Sequence, residues 1–380
     1  MKKLLVILAA VALVWGFTAT AMAVDWNFYG SARMKTFWVD RDYGDGPNDA
    51  GNDDEDADLQ WDLQGNSRIG AKVKAESVSG QFELGLKGDG AGDLDVGTRR
   101  IYGVWDFGAG KLKVGKDYTP ISQFISGQIF DDDLGLLGIG TMYGNRTGQI
   151  SLTFGGFEIA FITPTSGEIN NIAGVSAGGD VDEYLPKFEA SYGMGFDQFN
   201  FAVRGGYQRF TLEDVTSLVD GDNNDVDVDA WIIGADFGLN FGPGYFKGAL
   251  SYGQNVGNAE WNLAGLRTFG GYAVWDGDDD TKDTDSLMGA AILGWRVHDQ
   301  LTLEAGFGYR YDDPDVDNSQ KDDAWEIYAQ AVMTLAPGVY IIPEIGYTDY
   351  GQSADENAFG PGDDDEGNQW YAGAKWQIDF

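Results

Sequence analysis

The chain contains no cysteine and only one histidine, His298, among its 380 residues. Without cysteine it forms no disulfide and has no thiol nucleophile, and a single histidine leaves little material for acid–base catalysis. His298 also precedes Asp299 in a predicted short turn, where a structural role is the simpler interpretation. These absences argue against an enzyme.

Basic residues are also scarce. The chain has 25 Lys and Arg against 61 Asp and Glu, which gives a formal charge of −36. Nucleic-acid binding needs a basic surface, so no nucleic-acid partner is expected. Strong acidity is also typical of disorder, but 43% hydrophobic and 14% aromatic residues argue for a folded chain.

The N-terminus has the pattern of a secretory signal peptide. Met1–Lys3 is charged, Leu4–Phe17 is apolar, and Ala21–Ala23 forms a small-residue cleavage site. The alternative is an uncleaved anchor, for which the apolar run is short. We expect a signal peptide at 1–23 and one domain at 24–380, and loss of Lys2 and Lys3 changes the formal charge to −38.

The rest of the chain lacks apolar runs long enough for a membrane-spanning helix. Instead, apolar and polar residues alternate along it. From Trp61 to Glu76, apolar or small residues alternate with polar ones without a break. Average strands have about 5–6 residues, whereas a membrane strand needs about 9–11. The last residues alternate in the same way, with the apolar set Trp370, Ala372, Ala374, Trp376, Ile378 and Phe380.

Short and long connections alternate along the chain, and the 56 glycines favour tight turns. Seven predicted turns lie at 77–80, 108–110, 155–156, 195–197, 242–244, 297–299 and 336–338. Eight predicted loops lie at about 40–58, 88–97, 119–145, 164–183, 213–228, 257–284, 312–323 and 351–368. The pattern predicts an all-β fold: a closed antiparallel transmembrane barrel of sixteen strands with short periplasmic turns and long extracellular loops.

In such a barrel the apolar set faces lipid and the polar set faces a water-filled lumen. Sixteen strands enclose an aqueous channel, whereas eight would be filled by side chains. A water-soluble barrel with the inverted pattern is the alternative. The predicted location is a bacterial outer membrane.

Several segments resemble the general diffusion porins of Gram-negative bacteria, which are trimeric sixteen-stranded barrels. The similar segments are Val24–Trp38, Ser67–Ser77, Thr98–Pro120 and Tyr143–Phe161. The terminal Phe380 resembles the signature by which these barrels are recognised for insertion. The resemblance implies a homotrimer that is assembled with periplasmic chaperones and the barrel-insertion machinery.

The segment 119–145, here called L3, differs from most of the other loops. Its acids cluster at Asp131, Asp132 and Asp133, and the apolar residues Leu134, Leu136, Leu137 and Ile139 follow. Loops this long are usually functional, and apolar side chains do not favour water. The resemblance implies that L3 folds into the pore and forms its acidic constriction. The alternative is an extracellular loop packed on its neighbours.

Basic residues are predicted on the lumen wall opposite L3, because a charge at the bilayer midplane costs about 2–4 kcal/mol. Family positions that match Arg68 and Arg146 belong to such a wall, and Lys116 stands where the family usually has arginine. Alternatively, these side chains only pair with wall carboxylates. The predicted basic wall is Arg33, Lys35, Arg68, Lys72, Arg100, Lys116 and Arg146.

The acidic loops are predicted to be solvated surface, with nine carboxylates between Asp40 and Asp58 alone. At that density they could also hold structural Ca²⁺ or Mg²⁺, for example at Asp53, Asp54, Asp278 and Asp280, and contact lipopolysaccharide. No other cofactor is expected. We hypothesise that the acidic mouth enriches cations and gives weak cation selectivity.

The predicted function is passive diffusion of ions and small hydrophilic solutes through this pore. One alternative is a substrate-selective channel for sugars or carboxylates, in which Trp261, Phe269, Tyr272 and Trp275 would stack on sugar rings. Another is a structural barrel with a blocked lumen.

Overall fold

The computed structural model describes residues 24–42, 57–87, 95–165, 175–176, 180–217, 223–262, 270–275, 281–315, 321–351 and 366–380. The predicted signal peptide lies outside these ranges. Sixteen strands form the barrel: β1 (Asp25–Asp42), β2 (Asp58–Leu63 with Ser67–Ala75), β3 (Val78–Lys87), β4 (Asp95–Asp106), β5 (Lys111–Tyr118), β6 (Arg146–Phe154), β7 (Phe157–Ile162), β8 (Lys187–Gly195), β9 (Phe199–Ser217), β10 (Asn223–Phe241), β11 (Gly244–Gln254), β12 (Thr284–His298), β13 (Leu301–Pro314), β14 (Asp322–Ala336), β15 (Val339–Asp349) and β16 (Asn368–Asp379).

Each strand pairs antiparallel with its neighbours in the chain, and β1 closes the cylinder against β16. The closing register runs from Ser31 opposite Asp379 to Asp42 opposite Asn368. Closure gives each of the sixteen barrel strands a hydrogen-bonded neighbour on both sides. The predicted closed antiparallel barrel of sixteen strands is confirmed.

Seven short turns lie at one rim and the longer connections lie at the other, as the sequence predicted. Several predicted boundaries are shifted. The first turn is Glu76–Ser77 instead of 77–80. The pairing of β9 with β10 continues to Thr216 opposite Asn223, inside a segment that was predicted to be loop.

The outer surface is apolar and the lumen side is polar, as alternation requires. Aromatic side chains form a belt near each rim. Exposed members are Trp38, Tyr252 and Trp370 near the long-loop rim, and Trp26, Trp105, Phe154, Phe241, Trp295 and Trp376 near the short-turn rim. Soluble monomers rarely expose apolar patches above a few hundred Å², so this surface fits a lipid bilayer.

Strand β2 is interrupted, which corrects the prediction of a continuous strand from Trp61 to Glu76. Leu63 pairs with Met34 and Arg68 pairs with Ser31, so β2 has two more residues than β1 between these pairs. The extra residues form a turn at Gln64–Asn66, closed by the Ser67 N–H donating to the Gln64 carbonyl at 2.8 Å. Two extra residues preserve the alternation, so the sequence pattern gave no sign of the interruption.

Smaller elements lie outside the barrel strands. Asp180–Asp182 and Val175–Ser176 pair with β9, and Val274–Trp275 pairs with Thr281–Lys282. L3 contains a tight turn at Phe130–Asp133 and a helix, α1, at Gly135–Gly140. Within the described ranges, no helix has the length and apolar character needed to cross a membrane.

Candidate constriction in the barrel lumen

L3 folds into the lumen and lies against the inner wall. Helix α1 is buried against β12, β13 and β14. The approach is close because two glycines face each other: a Cβ placed on Gly308 would lie 3.4 Å from the Cα of Gly140. Leu136 and Ile139 are both fully buried there. The apolar half of L3 therefore packs against the wall instead of facing water.

Two wall carboxylates bind the backbone of L3. Glu304 accepts the Gly127 N–H at 2.8 Å. Glu344 accepts the N–H groups of Ile129 and Phe130 at 2.8 and 3.0 Å. Buried N–H groups need partners, and side-chain oxygens of the wall supply them here. This arrangement fixes an irregular segment that has no secondary structure of its own.

Aromatic packing secures the same segment. The Phe130 ring stacks on Tyr371 with centroids 3.7 Å apart and an interplanar angle of 6°, and Phe37 contacts Phe130 edge-on at 5.3 Å. The Gln128 side-chain amide donates to the Tyr371 hydroxyl at 2.8 Å and also to Glu326. L3 is thus held across β14, β16 and β1.

The acidic turn Asp131–Asp133 lies beside the interruption of β2. All three residues have positive φ, at 50°, 59° and 71°, which aspartate tolerates better than most residues. Asp132 accepts the Gly65 N–H at 2.9 Å, and Asp133 accepts the Gln64 amide at 3.1 Å. Asp133 also contacts Arg33 at 3.1 Å and Lys375 at 3.0 Å. Arg33 and Asp133 therefore meet directly instead of facing each other across open solvent.

Arginines on β2 and β4 share one buried carboxylate. Glu83 contacts Arg99 at 2.9 Å and Arg68 at 3.7 Å. Arg99 reaches the lumen because the pairing of β3 with β4 shifts between Glu83 and Leu84, which leaves Arg99 as an extra residue beside Arg100. Both neighbouring arginines then point inward, a result that strict alternation excludes. Alternation predicts only Arg100 in the lumen, so Arg99 was absent from the predicted basic wall.

Tyr118 connects three arginines at the end of β5. Its hydroxyl accepts from Arg146 at 3.2 Å and from Arg99 at 3.4 Å. The Arg100 and Arg146 guanidinium carbons lie 5.3 and 5.2 Å from its ring centroid, within cation–π range. Arg100 pairs with Asp117 at 2.7 Å. In the described part of the chain, Arg146 has no carboxylate within 4.0 Å.

A cavity of about 290 Å³ remains between L3 and the wall of β2–β6. Its lining includes three guanidinium groups, two L3 carboxylates, and aromatic and leucine side chains. The lining residues are Gly65, Asn66, Arg68, Arg99, Tyr118, Phe124, Ser126, Asp132, Asp133, Leu134, Leu137, Tyr143 and Arg146.

A second loop enters the lumen on the side of β8–β12. The segment 255–283 between β11 and β12, here called L6, brings the fully buried Trp261 into the barrel. The Trp261 indole donates to Glu189 at 2.9 Å, and its carbonyl accepts the Tyr143 N–H of L3 at 3.0 Å. A Cβ on Gly206 would lie 2.5 Å from the indole, so this wall position needs glycine. L3 and L6 together occupy the side of β8–β12.

Other members of the predicted basic wall lie outside this cavity. Lys35 is on the inner face of β1 opposite Lys375, and Lys72 lies 5.6 Å from the Tyr29 ring, nearer the short-turn rim. Arg100 contacts Tyr118 but does not line the cavity.

The prediction for Lys116 is wrong. The register pairs Lys116 with Ile101, which is 57% exposed on the outer surface, so Lys116 shares that face. It lies two residues from the end of β5 at the long-loop rim, where a lysine can extend its ammonium group toward the polar boundary of the bilayer. Lys375, which binds L3, belongs to the lumen side although it was absent from the predicted wall.

The remaining predicted positions concern metal binding, sugar stacking and the single histidine. Asp53, Asp54, Asp278, Asp280 and Phe269 lie outside the described residues, as does the Trp275 side chain. Within the described ranges, no cluster of acidic or histidine side chains is arranged to hold a metal ion. Trp261 and Tyr272 are 0% and 8% exposed, so they fill the loop interior and do not offer a stacking surface for sugars. His298 accepts the Gln300 N–H at 3.2 Å in its turn.

Comparisons with known proteins agree with this architecture. Residues 9–358 match the family model described as Gram-negative porin. Comparison with curated protein sequences finds no match.

Solved structures of low identity share the fold. The outer membrane channel DcaP of Acinetobacter baumannii is similar with a TM-score of 0.68 and 15% identity, over 95% of this chain and 99% of that one. OmpT of Vibrio cholerae in its trimer form has a TM-score of 0.57 and 15% identity, over 93% of this chain and 99% of that one. An anion-selective porin from Comamonas acidovorans has a TM-score of 0.56 and 17% identity, over 94% of this chain and 100% of that one.

Proposed function

The chain belongs to the Gram-negative porin family and is an outer-membrane channel, and on that basis we propose that it is a pore for passive diffusion of ions and small hydrophilic solutes. Family and fold both favour transport over catalysis. The position of L3 carries the proposal: a loop bound inside the barrel narrows the lumen and leaves a small cavity beside it.

The constriction that we propose lies between L3 and the wall of β2–β6. Its basic side consists of Arg68, Arg99 and Arg146, supported by Arg33 and Arg100, and Asp132 and Asp133 form its acidic side. Lys35 and Lys72 extend the basic surface along the lumen. Opposite charges on two sides of a narrow passage create a transverse field that orients water and polar solutes.

The proposal has two consequences for ions. Arg68 and Arg99 share Glu83, whereas Arg146 has no carboxylate within 4.0 Å among the described residues, so its charge favours anions in the cavity. The acidic loops at the mouth concentrate cations, which supports weak overall cation selectivity. Reversal potentials in a salt gradient test the balance, and a clear anion preference at low salt would refute the contribution of the mouth because screening is then weak.

We also propose a homotrimer in contact with outer-membrane lipid and lipopolysaccharide. The trimer form of the similar Vibrio cholerae OmpT supports this state. The exposed Phe380, whose backbone exchanges hydrogen bonds with Gly30, is the proposed recognition signal for the insertion machinery. Any structural Ca²⁺ or Mg²⁺ on the acidic loops remains a prediction.

Conductance measurements in a planar bilayer test the pore directly. The proposal expects steady ion current that rises linearly with salt and closes in three equal steps. A barrel without current would refute the pore, and a single closing step would refute the trimer while leaving the pore intact. Current that saturates with one solute would favour the substrate-selective alternative.

A further inference from the structure

One apolar ring in L3 is exposed to the lumen. Phe124 is 52% exposed, whereas its neighbours Ile125 and Ile129 are 4% and 1% exposed. Phe124 lines the cavity together with Leu134 and Leu137. The exposed part of the Phe124 ring offers apolar surface to a solute in the water-filled passage.

The Phe124 ring is held in a defined orientation. It contacts Tyr118 edge-on at 4.9 Å and Tyr143 edge-on at 5.8 Å. Tyr143 is in turn 3% exposed, with its backbone N–H bound to the Trp261 carbonyl. The apolar surface is therefore part of a packed aromatic group and is positioned before any solute arrives.

A cation without a carboxylate partner lies beside that ring. The Arg146 guanidinium contacts the Tyr118 ring at 5.2 Å and its hydroxyl at 3.2 Å. Within the described residues, Arg68 and Arg99 both have Glu83 within 4.0 Å but Arg146 has no such carboxylate. A guanidinium matches the geometry of a carboxylate through two parallel hydrogen bonds.

We propose that this cavity binds aromatic carboxylates, with the carboxylate on Arg146 and the ring against Phe124 and Leu137. The inference rests on the proposed pore and names the class of solute that its constriction retains. A volume of about 290 Å³ lies near the lower end for small-molecule sites, which are about 300–1,000 Å³, and suits a single-ring solute. Small hydrophilic anions would use only the cation, and neutral aromatics only the apolar surface.

Benzoate and acetate separate the two contributions because both carry one carboxylate. The experiment measures how each anion reduces chloride current through the wild-type pore in a planar bilayer. Aromatic contacts of this kind are worth about a two- to tenfold change in affinity. The proposal expects benzoate to reach half-maximal block at a concentration about two- to tenfold below that of acetate.

Variants test each half of the site. Phe124→Ala should remove most of the difference between benzoate and acetate. Arg146→Gln should raise the half-maximal concentration of both anions. Phe307→Ala is the matched control, because Phe307 is exposed on the outer surface of β13 and the difference should persist.

Two results would overturn the proposal: equal block by benzoate and acetate in the wild type, or an unchanged difference in Phe124→Ala. A wild-type barrel that carries no chloride current would instead refute the proposed pore itself. The two failures are therefore distinguishable in one series of recordings.

Discussion

Replacing Arg146 by glutamine should shift the ion selectivity of the pore toward cations. Arg146 lines the cavity and lacks a carboxylate within 4.0 Å in the described part of the chain, so its charge is not cancelled locally. A sphere of about 290 Å³ has a radius of about 4 Å, so an ion inside it lies about 5 Å from the guanidinium. In water, two unit charges at about 5 Å interact by about 0.8 kcal/mol.

Salt screening reduces this interaction energy and so determines the size of the change in selectivity. At 0.1 M salt the Debye length is about 10 Å, which reduces this interaction to about 0.5 kcal/mol. An anion loses that attraction and a cation loses the same repulsion, so the anion-to-cation permeability ratio falls by about 1 kcal/mol, or about fivefold. At 0.01 M salt the Debye length is about 30 Å, and the fall becomes about tenfold.

The assay is the reversal potential of single pores in a tenfold KCl gradient, repeated at both salt levels. Arg209→Gln is the matched control, because it removes the same charge from a residue that is 47% exposed on the outer surface and paired with Asp227. An unchanged permeability ratio in Arg146→Gln, or an equal shift in Arg209→Gln, would refute the reasoning.

Two further predictions concern the loops. Glu344→Ala leaves the N–H groups of Ile129 and Phe130 without their acceptor, at about 1–3 kcal/mol each, so L3 should loosen. We expect noisier single-channel current than in the wild type, and equally quiet current would contradict the role of Glu344. Trp261→Ala removes a fully buried indole at a cost of about 3–5 kcal/mol, and L6 should withdraw and raise the single-channel conductance. Gly206→Val should reproduce that rise by displacing the indole, and wild-type conductance in both variants would count against L6 as a lumen-narrowing element.

Much of the barrel could be predicted from sequence because its main constraint is local. Each membrane strand must alternate between lipid and water, and each connection must be either a tight turn or a loop, so strand number and closure follow from pattern alone. The exposed Trp370 and Trp376 lie on the outer surface as their period-two spacing predicts. Strand boundaries moved, as at Glu76–Ser77, and β2 is interrupted at Gln64–Asn66.

The constriction was less predictable because it depends on contacts between distant segments. Gln64–Asn66 leaves the strand to receive L3 residues that lie more than 60 positions away. Arg99 turns inward through a shift of pairing that leaves no mark in the sequence, and Lys116 faces outward although its charge suggested the lumen. Charge alone therefore identifies candidates for the lumen, while register decides which of them reach it.

The inward position of L3 follows from the same long-range chemistry. Its backbone donors find carboxylates on β13 and β15, which no local pattern connects to L3. The apolar residues of L3 indicated that the loop is buried, but not against which part of the chain. The family resemblance implied that L3 folds into the barrel, and the stacking of Phe130 on Tyr371 gives a physical reason for that position.

Thiol modification at position 124 tests the narrowed passage most directly, because the chain contains no cysteine and a single introduced thiol reports without background. In Phe124→Cys, a charged methanethiosulfonate reagent added to open pores should lower the single-channel conductance within the recording, whereas Phe307→Cys on the outer surface should show no change. Full conductance after complete modification of residue 124 would contradict an L3 that lies inside the barrel and borders the route of the ions.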